Sequence, residues 1–287
     1  MKRTLATLIT AAIFASLVSC AFAGDTPAAK DDKTTAALDA VLADTLTTLA
    51  TGDGAKITKL LSAQSNELLM PSKSGFVAIG SEKLKKTPAS GADFKIAADY
   101  KVKERKYTTL GAITVADATI SLEGKPDRVL SAALVEEGGT WRYLALCILQ
   151  PQPEKDPNSL TTTEEISRIL NSWSAGFPKG DISGLEEKLY PDPFSIGVTG
   201  PGNELFAFGY PDYFIGTVNS FLAMGAADYS SLEGLKVSVD GSVAIAQANW
   251  DISLAQLGQI KGRIMGHFCK TPKGWRLIGM VGGPGGR

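Results

Sequence analysis

The chain has one histidine, three cysteines and no surplus of either charge in 287 residues. Its 29 Lys plus Arg against 30 Asp plus Glu leave a formal net charge of -1, whereas a non-specific nucleic-acid binder needs a basic excess to displace counterions from phosphates. That class is excluded. With so few imidazoles and thiols there is almost no material for a zinc site or a di-metal cluster. The sequence also has no G-x-S-x-G elbow, H-E-x-x-H, C-x-x-C, phosphate-cradling glycine loop or dinucleotide fingerprint. A hydrolase, a metalloprotease, a redox enzyme and a nucleotide user each lose their usual support, and no cofactor or metal is expected. What is present is apolar: hydrophobic residues make up 44%, too much for a disordered chain and, at this length, enough for two domains.

Lys2 and Arg3 precede an apolar run from Leu5 to Val18. It is too short to span a bilayer comfortably and too near the terminus to belong to the fold, so it reads as an export signal. Two processing signals overlap there. Leu17-Val18-Ser19-Cys20 looks like a bacterial lipobox, in which Cys20 becomes the lipidated first residue. Ala21-Phe22-Ala23 before Gly24 fits the small-x-small cut of a secreted protein. Residues 1–23 therefore read as a signal peptide cut before Cys20 or before Gly24, and the two cuts stay open. Either way the expectation is an exported protein, periplasmic or extracellular, that meets a membrane only through a tether on Cys20. Residues 24–34, rich in Ala, Lys and Asp without apolar periodicity, read as a spacer. Cys147 and Cys269 each lie in an apolar, strand-like run. An oxidising compartment permits them to pair, but two buried free thiols fit such runs better.

Internal repetition is the main signal. Gly139-Thr140-Trp141-Arg142-Tyr143-Leu144 recurs as Lys273-Gly274-Trp275-Arg276-Leu277, and Trp141 and Trp275 are 134 residues apart. Gly52-Asp53 recurs as Gly180-Asp181 at a separation of 128, and Ala78-Ile79-Gly80 as Ala207-Phe208-Gly209 at 129. Between the copies, Gln150 to Pro157 sets three prolines in a polar stretch, which reads as a linker. Two domains are expected, at 35–149 and 160–281, with a linker at 150–159 and a flexible tail at 282–287.

The second copy is the clearer. A cap at Thr161, Thr162 or Thr163 precedes Glu164 and Glu165, which suit the first turn of a helix. Ile166, Ile169, Leu170, Trp173 and Phe177 then make an apolar stripe at helical spacing. Asp181 is placed to cap a second, short helix, Pro191-Asp192-Pro193 stops it, and two short strands follow at 194–198 and 204–208. A third helix spans roughly 211–224. Alternation at Leu235, Val237 and Val239, the Asp240-Gly241 turn and runs at 243–252, 258–270 and 275–281 give a four-stranded antiparallel meander. The first copy repeats the outline with helices at 35–50 and 55–61, a weak one at 81–92, and strands at 94–106, 112–122, 128–135 and 141–149. The class is α+β, each sheet burying one face against helices.

This organisation resembles the nuclear transport factor 2-like superfamily, which includes the SnoaL-like and ketosteroid-isomerase-like proteins. Trp173, Gly180-Asp181, Leu185, Leu189-Tyr190 and Gly209 are similar to the family's opening signature, and Gly274-Trp275-Arg276-Leu277 to its closing strand. The resemblance implies two tandem cones, each a curved sheet wrapped around about three helices with a pocket at the open end. It does not choose a function, because the fold carries isomerases, cyclases, dehydratases and binding modules. In the isomerase-like enzymes, the resemblance implies a carboxylate base on the first short strand and a Tyr donor on the first helix. Phe194-Ser195-Ile196-Gly197-Val198 holds no carboxylate, and the Tyr position is Trp173 in copy two and Thr45 in copy one. Both catalytic parts are missing there.

The remaining candidates are few. His267 shares one strand face with Arg263 and Met265, and it is a base only if the fold brings it a partner; otherwise it is an inert histidine. Asp212 and Tyr213 open the third helix, where Asp212 also suits the helix dipole. Trp173, Tyr190, Tyr213, Trp250 and Arg263 are the expected lining of a ligand pocket in the second domain, and they serve equally well as core. Lys101, Lys103, Arg105 and Lys106 read as a solvated strand edge. The expected function is non-catalytic: binding a small apolar ligand or a protein partner. The alternative is a SnoaL-like isomerase, cyclase or dehydratase acting on a carbonyl compound through His267 or Asp212. The two domains are expected to pair with each other in a monomer.

Overall fold

The computed structural model describes residues 32–64, 66–72, 75–80, 95–199, 204–223, 227–254 and 258–285. The expected signal peptide, Cys20, most of the spacer and the weak helix at 81–92 lie outside the described residues.

The first half opens with α1 (Asp32–Thr51), whose Leu38, Leu42, Leu46 and Leu49 recur at helical spacing and are buried. Asp53 caps α2 (Gly54–Thr58) by accepting from the backbone N–H groups of Ala55 and Lys56. Six strands follow: β1 (Glu67–Ser72), β2 (Gly75–Ile79), β3 (Lys101–Leu110), β4 (Ile113–Ser121), β5 (Arg128–Glu137) and β6 (Thr140–Leu149). They form one sheet in the order β2-β1-β6-β5-β4-β3. Strands β3 to β6 make the antiparallel meander, and β1 joins it by parallel pairing with β6.

The second half repeats this. Helix α3 (Pro157–Gly176) and α4 (Ser183–Glu186) precede β7 (Ser195–Thr199), β8 (Leu205–Phe208) and α5 (Pro211–Ala223). The meander is β9 (Ala227–Asp240), β10 (Val243–Leu254), β11 (Gly258–Thr271) and β12 (Gly274–Pro284), in a sheet ordered β8-β7-β12-β11-β10-β9. The repetition reaches single bridges. Leu61 bridges Tyr143 in the first half as Leu189 bridges Leu277 in the second, both in parallel.

Three expectations need correcting. Helix α3 starts at Pro157, ahead of the caps expected at Thr161 to Thr163, because Asp156 accepts from Asn158 N at 2.9 Å and Pro157 supplies a pre-set φ at the first helical position. Linker residues Gln150 and Gln152 donate backbone N–H bonds to Asp240 Oδ2 and to the Val239 carbonyl, so that segment is pinned to β9. Gly282 to Pro284, expected in a loose tail, continue β12 in register with β11.

Apolar residues fill three buried layers. One lies between the first helices and their sheet, and one between the second helices and theirs. The third contains side chains of both sheets, including Leu69, Val115, Ala133, Leu144, Ala145 and Cys147 with Val243, Ile245, Met265, Cys269, Ile278 and Val281. Strand β6 is therefore covered on both faces. Tyr143, Leu146 and Ile148 point to the helices, and Leu144, Cys147 and Leu149 to the other sheet. A strand buried on both sides reads as a continuous apolar run, which is what 143–149 shows.

Candidate functional site

In the second half, Trp173 near the end of α3 and Phe177 just after it turn inward against Trp250 of β10. The Trp173 and Trp250 rings stack at 6.4 Å between centroids and 28°, while Phe177 lies 5.5 Å from Trp173 and 5.9 Å, edge-on, from Trp250. The Trp250 indole donates to Ser230 Oγ at 2.9 Å, and that hydroxyl is hydrogen-bonded to Ser174 Oγ at 2.8 Å. Trp173 is 7% exposed, and its Nε1 is buried without a hydrogen-bond partner. A second aromatic group, Phe194, Phe208 and Phe214, belongs to the same core cluster, with Phe214 at 6.3 and 5.6 Å from the other two. These rings pack against one another in the buried core of the second half, and the Trp173 N–H is left there without a partner.

In the first half the equivalent interior is differently equipped. Thr45, where copy two has Trp173, is buried and hydrogen-bonded to Tyr143 Oη at 2.8 Å while its Oγ1 also donates to the Val41 carbonyl. Burial pushes the Tyr143 phenol far above its ordinary range. Near the start of α1, Asp39 accepts from Tyr107 Oη at 2.7 Å and from Arg105, and the Arg105 bond holds its carboxyl below the usual carboxylate range. The basic strand β3 is a sheet edge, as expected, and Lys103 reaches Asp127 at 3.0 Å.

The predicted pocket residues separate. Trp173 and Trp250 come together. Tyr190 instead lies on the opposite sheet face, edge-on to Phe76 of the first half at 5.9 Å. Arg263 also leaves the interior, donating to Thr108 Oγ1 and Gln247 Oε1 and lying 3.5 Å from Asp117 Oδ2. Tyr213 is 73% exposed at the start of α5, and Asp212 beside it is exposed too. Alternation explains the division. Residues two apart on β11 share a face, so Arg263, Met265 and His267 do point together, but toward the other sheet and away from the helices.

His267 has an acid within reach that sequence reasoning did not name. Its Nδ1 lies 2.5 Å from Glu67 Oε1, with the side chains 1% and 0% exposed. Glu67 begins β1, a strand not expected in the first copy. Carrying the second copy's first strand back by 128 residues from Ser195 lands on Glu67, so the repeat itself held the signal. The pair sits among the apolar residues between the sheets, where Glu67 Oε2 and His267 Nε2 have no hydrogen-bond partner. Neither group faces a helix-lined interior, and neither meets solvent. Cys147 and Cys269 are buried free thiols in the same layer. Burial, helped by the Glu67 charge, raises Cys147 well above its ordinary value and pushes Cys269 up to about 12. Among the described residues there is no cluster of three or more His, Cys, Asp or Glu that could hold a metal ion.

Each half thus has a helix pair, two short strands and a four-stranded meander whose last strand takes the first in parallel. The same unit is carried twice in tandem, as the repeat in the sequence leads one to expect. No protein-family model and no curated protein sequence matches the chain. Solved structures do. A candidate dehydratase of the nuclear transport factor 2-like family from Streptomyces avermitilis is 18% identical over 43% of this chain and 96% of its own, with a TM-score of 0.37. A nuclear transport factor 2-like protein of unknown function from Pseudomonas putida is 16% identical over 44% and 87%, TM-score 0.39. A superfamily protein from Salmonella enterica is 17% identical over 45% and 94%, TM-score 0.39.

Proposed function

We propose that the chain is an exported, non-catalytic binding protein whose second half takes up a small apolar ligand between α3 and its sheet. The observation that carries this reading is the aromatic wall of Trp173, Phe177 and Trp250 with the unpartnered Trp173 N–H. The acid–base groups support it by their placement. His267 and Glu67 are enclosed between the sheets, and Asp212 stands on the surface, so neither candidate base of the isomerase or dehydratase reading faces that wall. We further propose that the mature chain works as a monomer with its halves paired to each other, and that export proceeds through residues 1–23 with Cys20 or Gly24 as the first residue. Intact mass of the secreted protein distinguishes these two, since only the Cys20 product gains acyl chains.

Titration with the neutral dye N-phenyl-1-naphthylamine, followed by displacement with fatty acids, isoprenoids and polycyclic alcohols, tests the binding. Saturable dye uptake with quenching of tryptophan emission is expected. Trp173→Ala should weaken it about tenfold, the size of a lost aromatic contact plus a hydrogen bond. Trp250→Phe, which keeps a ring, should weaken it less. Binding that ignores both substitutions while circular dichroism stays native would remove the second half's interior as the site.

A further inference from the structure

We infer that the sheet face of each half is built to accept the other half of this chain and to refuse a second copy of itself, and that Glu67, His267 and Gly279 make that choice. The inference rests on the internal pairing proposed above. A tandem repeat has three ways to pair its faces: first with second, first with first, and second with second. Strand order is the same in both halves, so topology does not distinguish them. Side chains must.

The registers give the equivalent positions. Glu67 pairs with Ala145, and Ser195 with Gly279; Ala133 pairs with Ala145, and His267 with Gly279. Both meanders are interrupted at the same place, between Ala133 and Leu134 and between His267 and Phe268. Glu67 therefore corresponds to Ser195, His267 to Ala133 and Gly279 to Ala145. The contact of Glu67 with His267 across Gly279 has a mirror contact made of Ser195, Ala133 and Ala145. In that mirror place the small Ser195 hydroxyl donates to the Leu144 carbonyl at 2.8 Å. One site carries large ionisable groups around a glycine; its counterpart carries a serine and two alanines.

Homotypic pairs fail at these positions. A Cβ at Gly279 would stand 2.7 Å from Glu67 Oε1. The position corresponding to Gly279 in the first half is Ala145, which has that Cβ. Two first halves would each press Glu67 onto Ala145 with Ala133 in place of an imidazole, leaving two carboxylates buried alone. Removing one partner of a buried pair is costly for the same reason. Two second halves would leave His267 opposite Ser195 over a glycine, without its carboxylate partner and with space unfilled. Gly197 adds an independent steric match. A Cβ there would stand 2.8 Å from Leu144 Cδ1 and 3.2 Å from Ile113 Cδ1. The first half has Leu69 at the corresponding position, so a second first half would drive Leu69 toward Leu144.

The test uses the full chain, folded first and cut afterwards at a protease site introduced at 153–155. Native mass spectrometry of the cut protein, mixed with a cut copy of shifted mass, is expected to show only pairs of one first half and one second half, with both masses exchanging. His267→Ala should raise the share of free halves at least tenfold. Adding Glu67→Ser and Gly279→Ala, which copies the mirror contact, should recover most of that loss. First–first or second–second pairs from the unmutated chain would overturn the inference, as would a His267→Ala protein whose halves stay paired as before. Unmutated halves that part on cutting would instead overturn the internal pairing on which it rests.

Discussion

Cys269 shows how far a single environment alters a side chain. Burial raises its thiol to about 12 and lifts Cys147 well above its ordinary value too, against about 8.5 for an exposed cysteine. Both should resist thiol reagents at pH 8 in the native protein and react at once in denaturant; labelling at the rate of a free thiol without denaturant would contradict their burial. A raised folded value means that the unfolded chain ionises first. The contribution of these thiols to stability is complete below about pH 8.5 and declines as pH rises toward about 12, so denaturation midpoints should fall over that window and fall less for Cys269→Ala. Tyr143 supplies a second residue-scale case. Tyr143→Phe removes its hydrogen bond to Thr45, whose Oγ1 keeps the Val41 carbonyl, and should cost about 1 kcal/mol in urea unfolding.

Among the elements, α3 and β12 carry the clearest tests because their ends fall where composition argued for loop. Asp156→Ala takes away the side-chain cap of α3 and should cost about 1 kcal/mol; an unchanged midpoint would mean that the first turn is held elsewhere. Truncation after Val281 removes the Gly282–Pro284 end of β12, paired with Gly262 to Ile264. It should lower the melting temperature measurably, whereas loss of a loose tail would leave it where it was. Glycine and proline commonly break regular structure. They do not do so here because proline fits the first helical position, and because Gly283 lies so close to Leu110 of β3 and Thr199 of β7 that a Cβ would meet them at 3.1 to 3.3 Å.

Across the whole molecule, two covered sheets account for features that either half alone leaves unexplained. Strands β6 and β12 carry apolar residues on consecutive positions because both of their faces are buried. His267 and Arg263 leave the interior of their own half because the opposite face of β11 meets Glu67, Thr108 and Asp117 of the first. A substitution such as Gly279→Ala should therefore destabilise both halves together, by about 1–3 kcal/mol for an overpacked contact, and unfolding should remain a single transition by fluorescence and circular dichroism. Two separated transitions would show that the sheets do not act as one layer.

By itself the sequence determined the α+β class, the tandem repeat and nearly every strand of the meanders, because apolar alternation, turn residues and a 128–134 residue separation are local or periodic signals that survive without coordinates. It also held Thr45 and Trp173 in equivalent places and the absence of a carboxylate on β7. Only the tertiary structure decided which side of a strand faces helices and which faces the other sheet, since an uninterrupted apolar run carries no mark of direction. That choice joined Trp173 to Trp250, turned Tyr190 and Arg263 away from them, and set Glu67 against His267 from 200 positions along the chain. A contact so distant leaves no period to read, and it exists because burying an unpartnered carboxylate would cost more than folding could offset.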